Sequence, residues 1–237
     1  NRGVSIAQGY GENYWDLKSD LDKQVHHLYE DAKVSLWTEM DKRFIDSIPG
    51  AIPVITQSKD RKDYVYHPES GEALNSKSVN RIKSIKEGWN GKAPDIQIVI
   101  SDGLNARALM DEGHLMPYLK GLIASLRVKY SISDNPIVIT AGRVRAGYEC
   151  GELLFGDHTS PLKSHGLIHI IGERPGSGHH NFSTYLTVAK SSSWNTKGTV
   201  DHNISKVVSG ISDTSLSPKK AIQATEKIID DLFFSMT

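Results

Sequence analysis

The chain has 237 residues and a mass of 26.2 kDa, enough for one large domain or for one domain with an appendage. Its 28 basic and 28 acidic residues balance, so it lacks the positive excess typical of proteins that bind nucleic acids or anionic membranes. Cys150 is the single cysteine, which excludes an internal disulfide bond and favours a reducing compartment.

The first residue and the lengths of the apolar runs indicate whether the chain is processed and whether it enters a membrane. No apolar run approaches the roughly 20 residues that a membrane-spanning helix needs, and no signal peptide is recognisable. We therefore expect no membrane association. The first residue is Asn1 rather than methionine, which predicts an excised or processed piece of a longer polypeptide.

Residues 1–93 are predicted to form a helical lead-in and a small subdomain. From Asp16 onward, apolar residues recur every three or four positions, as on one face of an amphipathic helix that ends near Pro49. DYVYHPESGE, from Asp63, alternates aromatic and polar residues and predicts a short hairpin or edge strand. SVNRIKSIKEGW, from Ser78, predicts a short helix.

Residues 94–237 are predicted to form a second, α/β domain. The predicted strands are DIQIVISDG from Asp95, NPIVITAGR from Asn135, GLIHIIGERPG from Gly166 and the less apolar STYLTVAK from Ser183. The predicted helices run from Leu104 to Met110, onward from His114 with Pro117 in the first turn, and onward from Ser217, which caps the last one. Strands that alternate with helices favour a Rossmann-like, doubly wound parallel sheet.

The three core strands each end in a cluster of small or polar residues. The clusters are Ser101-Asp102-Gly103, then residues 140–144, then residues 172–176, which begin at Gly172. Ligands of open α/β sheets bind outside the carboxyl ends of the strands, where glycines allow close approach and helix N-termini present N–H groups. We therefore expect a ligand site at this edge.

Several chemistries are disfavoured at that edge. Neither GxxxxGK[ST] nor a GxGxxG between strand and helix is present, which argues against the common phosphate-binding loops. His165 and His169 are separated by about 13 Å if they lie on a strand, so no metal site is predicted. There is no GxSxG nucleophile elbow, and Cys150 is expected to be a core thiol. No catalytic acid or base is predicted.

Four motifs resemble one enzyme family. IVISDGLNA, GRVRAGYECGELL, IIGERPG and HNISKVVSG occur in this order, and together they resemble the small chain of adenosylcobalamin-dependent ethanolamine ammonia-lyase. The resemblance covers roughly Asp95 to the C-terminus. SKDRKDYVYHPESGE, ahead of these motifs, resembles a form of the enzyme whose large and small chains are one polypeptide.

The resemblance implies a lyase that converts ethanolamine to acetaldehyde and ammonia by adenosyl-radical chemistry. The small chain would supply a Rossmann-like cobalamin platform, and a large TIM-barrel chain would hold ethanolamine, so the fragment alone is expected to be inactive. The enzyme is expected to be oligomeric and to lie in the cytoplasm. A location inside a bacterial microcompartment stays open.

The resemblance also implies site residues. Val144 and Glu173 fall where the family contacts cobalamin, Arg143 is the neighbouring candidate, and Asn203 stands where the family commonly has a cysteine. An amide can still hydrogen-bond a corrin carboxamide. Because no DxHxxG motif is present, cobalt is expected to keep its dimethylbenzimidazole ligand.

Two other classes of function stay open. One is a stand-alone module that binds cobalamin or a nucleotide for sensing or delivery. The other is an α/β hydrolase or transferase that uses Glu173 with His179 or His180. Titration with hydroxocobalamin separates both cobalamin hypotheses from the hydrolase.

Overall fold

Six strands form one sheet in the computed structural model, which describes residues 16–156, 160–176 and 180–236. The strands are β1 (Ile52–Ile55), β2 (Ile96–Ser101), β3 (Ile137–Thr140), β4 (Ser164–Gly172), β5 (Phe182–Lys190) and β6 (Lys206–Ile211). Their order across the sheet is β1-β3-β2-β4-β5-β6. The α/β class is therefore confirmed.

Helices pack on both faces of this sheet. They are α1 (Ser19–Trp37), α2 (Lys42–Ser47), α3 (Arg61–Tyr66), α4 (Ser76–Gly88), α5 (Arg107–Met110), α6 (Leu115–Leu126), α7 (Val144–Phe155), α8 (Ser191–Trp194) and α9 (Pro218–Phe234). A 3₁₀ turn, Pro68–Gly71, follows α3. No helix in the described part of the chain is both long and apolar enough to cross a membrane.

β2 is buried along its whole length because both faces of the sheet are covered. Ile98 and Ile100 belong to one apolar cluster with residues of α6 and α9. Val99, which points to the opposite face, belongs to a second cluster with residues of α4, α7 and α8. The continuous apolar run of this strand follows from burial on both faces.

The sheet is mixed, so the Rossmann-like, doubly wound parallel sheet is not confirmed. β1, β3, β2 and β4 are parallel, whereas β5 runs antiparallel to β4 and β6 antiparallel to β5. Only residues 173–181 connect β4 to β5. A parallel crossover needs about a dozen residues or more, usually with a helix, so this short connection imposes the antiparallel direction.

Two predictions for the N-terminal third are wrong. The single helix expected to end near Pro49 is replaced by α1 and α2, because α1 already ends at Trp37. The expected hairpin or edge strand from Asp63 is the helix α3. Its start is capped by Asp60, whose side chain accepts a hydrogen bond of 2.8 Å from the Asp63 N–H.

Most other predicted elements are confirmed, and four additional elements were not predicted. The confirmed ones are α4, α5, α6, α9, β2, β3, β4 and β5, whereas β1, β6, α7 and α8 have no predicted counterpart. Ser217 occupies the N-cap of α9, but its side chain makes no capping hydrogen bond. β1 pairs with β3 across the predicted domain boundary at residue 93, and that boundary stays a prediction.

Replacing Tyr118 with phenylalanine is expected to lower the free energy of unfolding by about 1 kcal/mol. The hydroxyl of Tyr118 on α6 lies 2.8 Å from that of Thr225 on α9, and both side chains are fully buried. The variant would leave the Thr225 hydroxyl without this partner. Urea denaturation measures the loss, with Tyr66→Phe, an exposed tyrosine, as the control. Equal stability of both variants would show that the Tyr118 hydrogen bond gives no net stabilisation.

Candidate functional site

The carboxyl ends of three adjacent parallel strands meet at one cavity. β3, β2 and β4 are neighbours in the sheet, so their ends lie at the same edge, as predicted. The cavity has a volume of about 170 Å³. Its walls are formed by Tyr64, Gly103, Leu104, Arg143, Val144, Ile171, Gly172, Glu173, Arg174 and Tyr185. Five of the predicted site residues, Gly103, Arg143, Val144, Gly172 and Glu173, are therefore brought together.

Arg143 enters the cavity wall at the point where β3 gives way to α7. It is the N-cap residue of α7, and its peptide N–H donates to the Gly71 carbonyl at 2.9 Å. One terminal nitrogen of its guanidinium donates to the Tyr64 carbonyl at 3.0 Å. The Nε atom is buried and has no hydrogen-bond partner in the described part of the chain. A buried donor of this kind is costly unless a ligand accepts from it.

Glu173 follows the last residue of β4 and is half-buried. Its peptide N–H donates to the Asn181 carbonyl at 3.0 Å, which fixes the start of the β4–β5 connection. Burial raises the pKa of the Tyr185 hydroxyl, and the negative charge of Glu173 raises it further. Tyr185 therefore stays protonated at neutral pH, so that the cavity wall carries a carboxylate acceptor close to a phenol donor.

Ser101 and Asp102 lie beneath this surface and are fully buried. One Asp102 oxygen accepts from the Gly142 N–H at 3.1 Å, and the other lies 3.3 Å from a terminal nitrogen of Arg61. Burial raises the pKa of Asp102 to about 6, although Arg61 and the peptide N–H groups act in the opposite direction. The two residues support the strand ends, and neither lines the cavity.

Ser101 is paired with a buried histidine. The Ser101 Oγ lies 2.7 Å from Nε2 of His169 on β4. Burial lowers the pKa of His169 to about 3, so the imidazole is neutral at physiological pH. Its Nδ1 faces Gly147 of α7, where an added Cβ would lie 2.2 Å away. The pair links β2 to β4 directly below the cavity.

The two predicted glycines allow the ends of β2 and β4 to touch. Gly103 has a φ of +54°, and a Cβ there would lie 2.1 Å from the Gly172 carbonyl oxygen. A Cβ on Gly172 would lie 2.4 Å from the Asp102 carbonyl oxygen. Larger residues cannot occupy these positions without moving the backbone, so the glycines shape the cavity floor.

Asn203 is exposed and lies beside a second depression rather than in the cavity. Its side-chain amide donates to the Asp201 carboxylate at 2.9 Å. The depression, of about 280 Å³, is lined by Glu72, Arg143, Val144, Arg145, Tyr148, Asp201 and His202. Because Arg143 and Val144 border both spaces, the cavity and the depression form neighbouring parts of one surface.

The histidines of the β4–β5 connection do not form a catalytic pair with Glu173 among the described residues. His180 Nδ1 pairs with Asp111, and its Nε2 lies 3.0 Å from Asp31. Both ring nitrogens are thus engaged with α1 and the end of α5, which weighs against a role as general base. His179 lies outside the described residues.

Neither a metal site nor an activated thiol is found in the part of the chain that the structure describes. No group of three or more His, Cys, Asp or Glu residues there could hold a metal ion. Cys150 on α7 is fully buried, and burial raises the pKa of its thiol. It is a core thiol, as predicted.

Five cavity residues were not among the predicted contacts: Tyr64, Leu104, Ile171, Arg174 and Tyr185. Tyr64 was missed because the stretch that contains it was interpreted as a strand. Asp60 three residues ahead of Asp63 was an available signal for a helix start. Tyr185 lies on β5, opposite His169 of β4.

Comparison with known proteins places the chain among lyase subunits. A family model described as ethanolamine ammonia-lyase light chain matches residues 2–235. The ethanolamine ammonia-lyase small subunit of Pseudomonas paraeruginosa is 35% identical over 132 residues, which are 55% of this chain and 44% of that protein. The small subunit of Pseudomonas putida strain GB-1 is 27% identical over 188 residues, 79% of this chain and 63% of that protein. That of Clostridium acetobutylicum is 27% identical over 163 residues, 68% and 60% respectively. The matches thus cover less than two thirds of each of these relatives.

Proposed function

This chain belongs to the ethanolamine ammonia-lyase light chain family, and we propose that it forms the surface on which the enzyme holds adenosylcobalamin. The observation that carries the proposal is the meeting of Arg143, Val144 and Glu173 around one cavity at the sheet edge. The resemblance implies cobalamin contacts at Val144 and Glu173, with Arg143 as the neighbouring candidate.

The residues present fit one edge of a corrin ring. Cobalamin is far larger than a cavity of about 170 Å³, so one amide side chain would enter while the ring lies across the surface. An amide both donates and accepts hydrogen bonds. The Glu173 carboxylate can accept from it, and the Arg143 Nε and the Tyr185 hydroxyl can donate to it.

The roles of this chain are binding and orientation. The bound cofactor supplies the adenosyl radical, and the protein supplies its position and environment. Val144 gives the first turn of α7 an apolar contact surface, and the neighbouring depression extends that surface toward Asn203. The Asn203 amide already donates to Asp201, so its carbonyl oxygen is the atom we propose for a corrin amide.

The proposal includes a large chain. The matching family is described as the light chain of the enzyme, and this description supports a second, heavier chain. We propose that a TIM-barrel chain holds ethanolamine over the corrin, that the assembly is oligomeric, and that acetaldehyde and ammonia are formed there. In this arrangement the light chain alone is inactive.

Replacing Glu173 with glutamine is expected to weaken the binding of hydroxocobalamin about tenfold, because a charged acceptor is replaced by a neutral amide oxygen, which accepts a weaker hydrogen bond. The assay uses the complete enzyme. If the large and small chains are one polypeptide, that polypeptide is expressed whole; if they are separate, the two chains are co-expressed. The change in visible absorbance of hydroxocobalamin reports binding.

Glu87→Gln, on the exposed side of α4, is the matched control for this titration and should bind like the wild type. Failure of the wild-type assembly to bind hydroxocobalamin would refute the proposed function. Equal affinities of the Glu173→Gln and Glu87→Gln proteins would remove Glu173 from the site.

A further inference from the structure

The ring of Tyr64, in the N-terminal third of the chain, contacts the guanidinium groups of two arginines. Tyr64 lies on α3 and is 1% exposed. The guanidinium carbons of Arg61 and Arg143 each lie 4.8 Å from the centroid of its ring. An arginine at this distance is attracted to the electron-rich face of the ring, most strongly where water is excluded.

Tyr64 also makes polar contacts with the Gly142-Arg143 segment. Its hydroxyl donates to the Gly142 carbonyl at 3.2 Å, and its own carbonyl accepts from the Arg143 guanidinium at 3.0 Å. Burial raises the pKa of Tyr64, so the hydroxyl stays protonated and remains a donor. The ring, the hydroxyl and the carbonyl of one residue thus all contact the junction between β3 and α7.

These contacts leave N–H donors of the Arg143 guanidinium available to a ligand. One terminal nitrogen donates to the Tyr64 carbonyl, while the Nε atom is buried and has no partner among the residues that the structure describes. An arginine side chain has many rotamers, and ordering it on binding costs affinity. A guanidinium already fixed on the Tyr64 ring avoids that cost.

We propose that Tyr64 is a positioning residue of the cofactor site, which acts by holding the Arg143 guanidinium against the cavity wall. The inference rests on the proposed function for its ligand and extends the site to α3, which lies ahead of the four motifs that resemble the small chain. Tyr64 lines the cavity but is almost fully buried, so its effect on the ligand passes through Arg143.

The first test needs no ligand. The ring current of Tyr64 should displace the Nε–H resonance of Arg143 in a ¹H–¹⁵N spectrum, and the signal is assigned by its disappearance in Arg143→Lys. Tyr64→Leu should shift this resonance toward the position of a freely solvated arginine. Tyr66→Leu, at a position 61% exposed on the same helix, should leave it unchanged. An unchanged Arg143 signal in Tyr64→Leu would overturn the proposal.

The second test is a double-mutant cycle on hydroxocobalamin binding by the complete assembly. Tyr64→Leu should raise Kd about tenfold in the wild-type background, and by less than twofold when Arg143→Ala is already present. If the two effects multiply, Tyr64 acts independently of Arg143 and the inference is wrong. If the wild type does not bind, the proposed function fails, and the resonance of Arg143 still decides whether Tyr64 holds it.

If Tyr64→Leu does not fold, Tyr64→Phe is tested in its place. It keeps the ring and the main-chain carbonyl and loses only the hydroxyl bond to Gly142. The Arg143 resonance should stay displaced, and Kd should rise less than threefold. A loss of the displaced signal in Tyr64→Phe would show that the ring face is not what holds Arg143.

Discussion

Replacing Arg61 with methionine is expected to lower the free energy of unfolding by about 3–5 kcal/mol near pH 8. Arg61 is 6% exposed, and its partner Asp102 is fully buried. Without the guanidinium, Asp102 keeps the N–H of Gly142 but loses its nearest cation. A buried carboxylate in that state is strongly unfavourable. Urea denaturation at several pH values measures the loss.

The pH dependence identifies the cause of this loss. The pKa of Asp102 is already about 6 beside Arg61, and removing the cation must raise it further. The variant can therefore take up a proton below that pKa, so the destabilisation should be smaller at pH 5 than at pH 8. Adding Asp102→Asn removes the unpaired charge and keeps an acceptor for Gly142, which should recover most of the stability.

An Arg61→Met/Asp102→Asn protein as unstable as Arg61→Met would contradict this explanation. The loss would then come from the other contacts of Arg61. Its Nε donates to the Leu36 carbonyl at 2.7 Å, and a terminal nitrogen donates to the Gly103 carbonyl at 3.0 Å.

Replacing His169 with glutamine is expected to remove a large pH-dependent term from the stability. Burial lowers the pKa of His169 to about 3, whereas an unfolded chain has the ordinary value near 6.5. The unfolded state therefore binds this proton first, and stability is lost as the pH falls from about 6.5 toward 3. The loss approaches about 1.4 kcal/mol per pH unit and amounts to about 2.3 kcal/mol between pH 6.5 and 4.5.

The measurement is the difference in unfolding free energy between wild type and His169→Gln. Glutamine can keep the hydrogen bond to Ser101 without titrating, so any advantage of the wild type should shrink as the pH falls. Asp102 acts in the opposite direction, since its raised pKa favours the native state as the pH falls from about 6 to about 4. Its contribution is common to both proteins and cancels in the difference.

His27→Gln, which removes an exposed histidine on α1, is the matched control for the pH series. A difference between wild type and His169→Gln that stays flat over this pH range would show that water reaches the imidazole. The burial of the Ser101–His169 pair beneath the strand ends would then be wrong.

The strands of the core could be predicted from the sequence because burial on both faces leaves a continuous apolar run. β2 is the clearest case, since all its residues are buried. The direction of β5 was missed because its residue pattern indicates a strand but does not indicate whether that strand runs parallel or antiparallel to its neighbour. Direction follows from the length of the connection at residues 173–181, and that length was not used.

The α3 segment shows how a local pattern can mislead. Alternating aromatic residues from Asp63 are typical of a strand that is half-buried. Here the alternation coincides with a short capped helix that buries Tyr64 and exposes Tyr66. Side-chain capping by Asp60 and packing against distant residues determined the outcome, and packing of this kind is not encoded in residue spacing.

The site could be predicted at the level of strand ends but not of side-chain direction. Gly103, Arg143 and Glu173 were expected to meet because parallel strands align their carboxyl ends, and they do. Ser101 and Asp102 share that edge but point into the core. Whether a polar residue at a strand end faces out or in depends on partners such as His169 and Arg61, which are far apart in sequence.

The position of β1 at the margin of the sheet bears on the order in which the chain folds. Among the described strands, β1 pairs with β3 alone, and Ile52 lies opposite Ile137, so this pairing closes a long loop. The hairpin of β4 and β5 closes over far fewer residues and can assemble early. We expect α3 and β1 to pack onto the sheet late in folding. A nascent or partly unfolded chain would then form the rest of the sheet before Tyr64 can hold the Arg143 guanidinium.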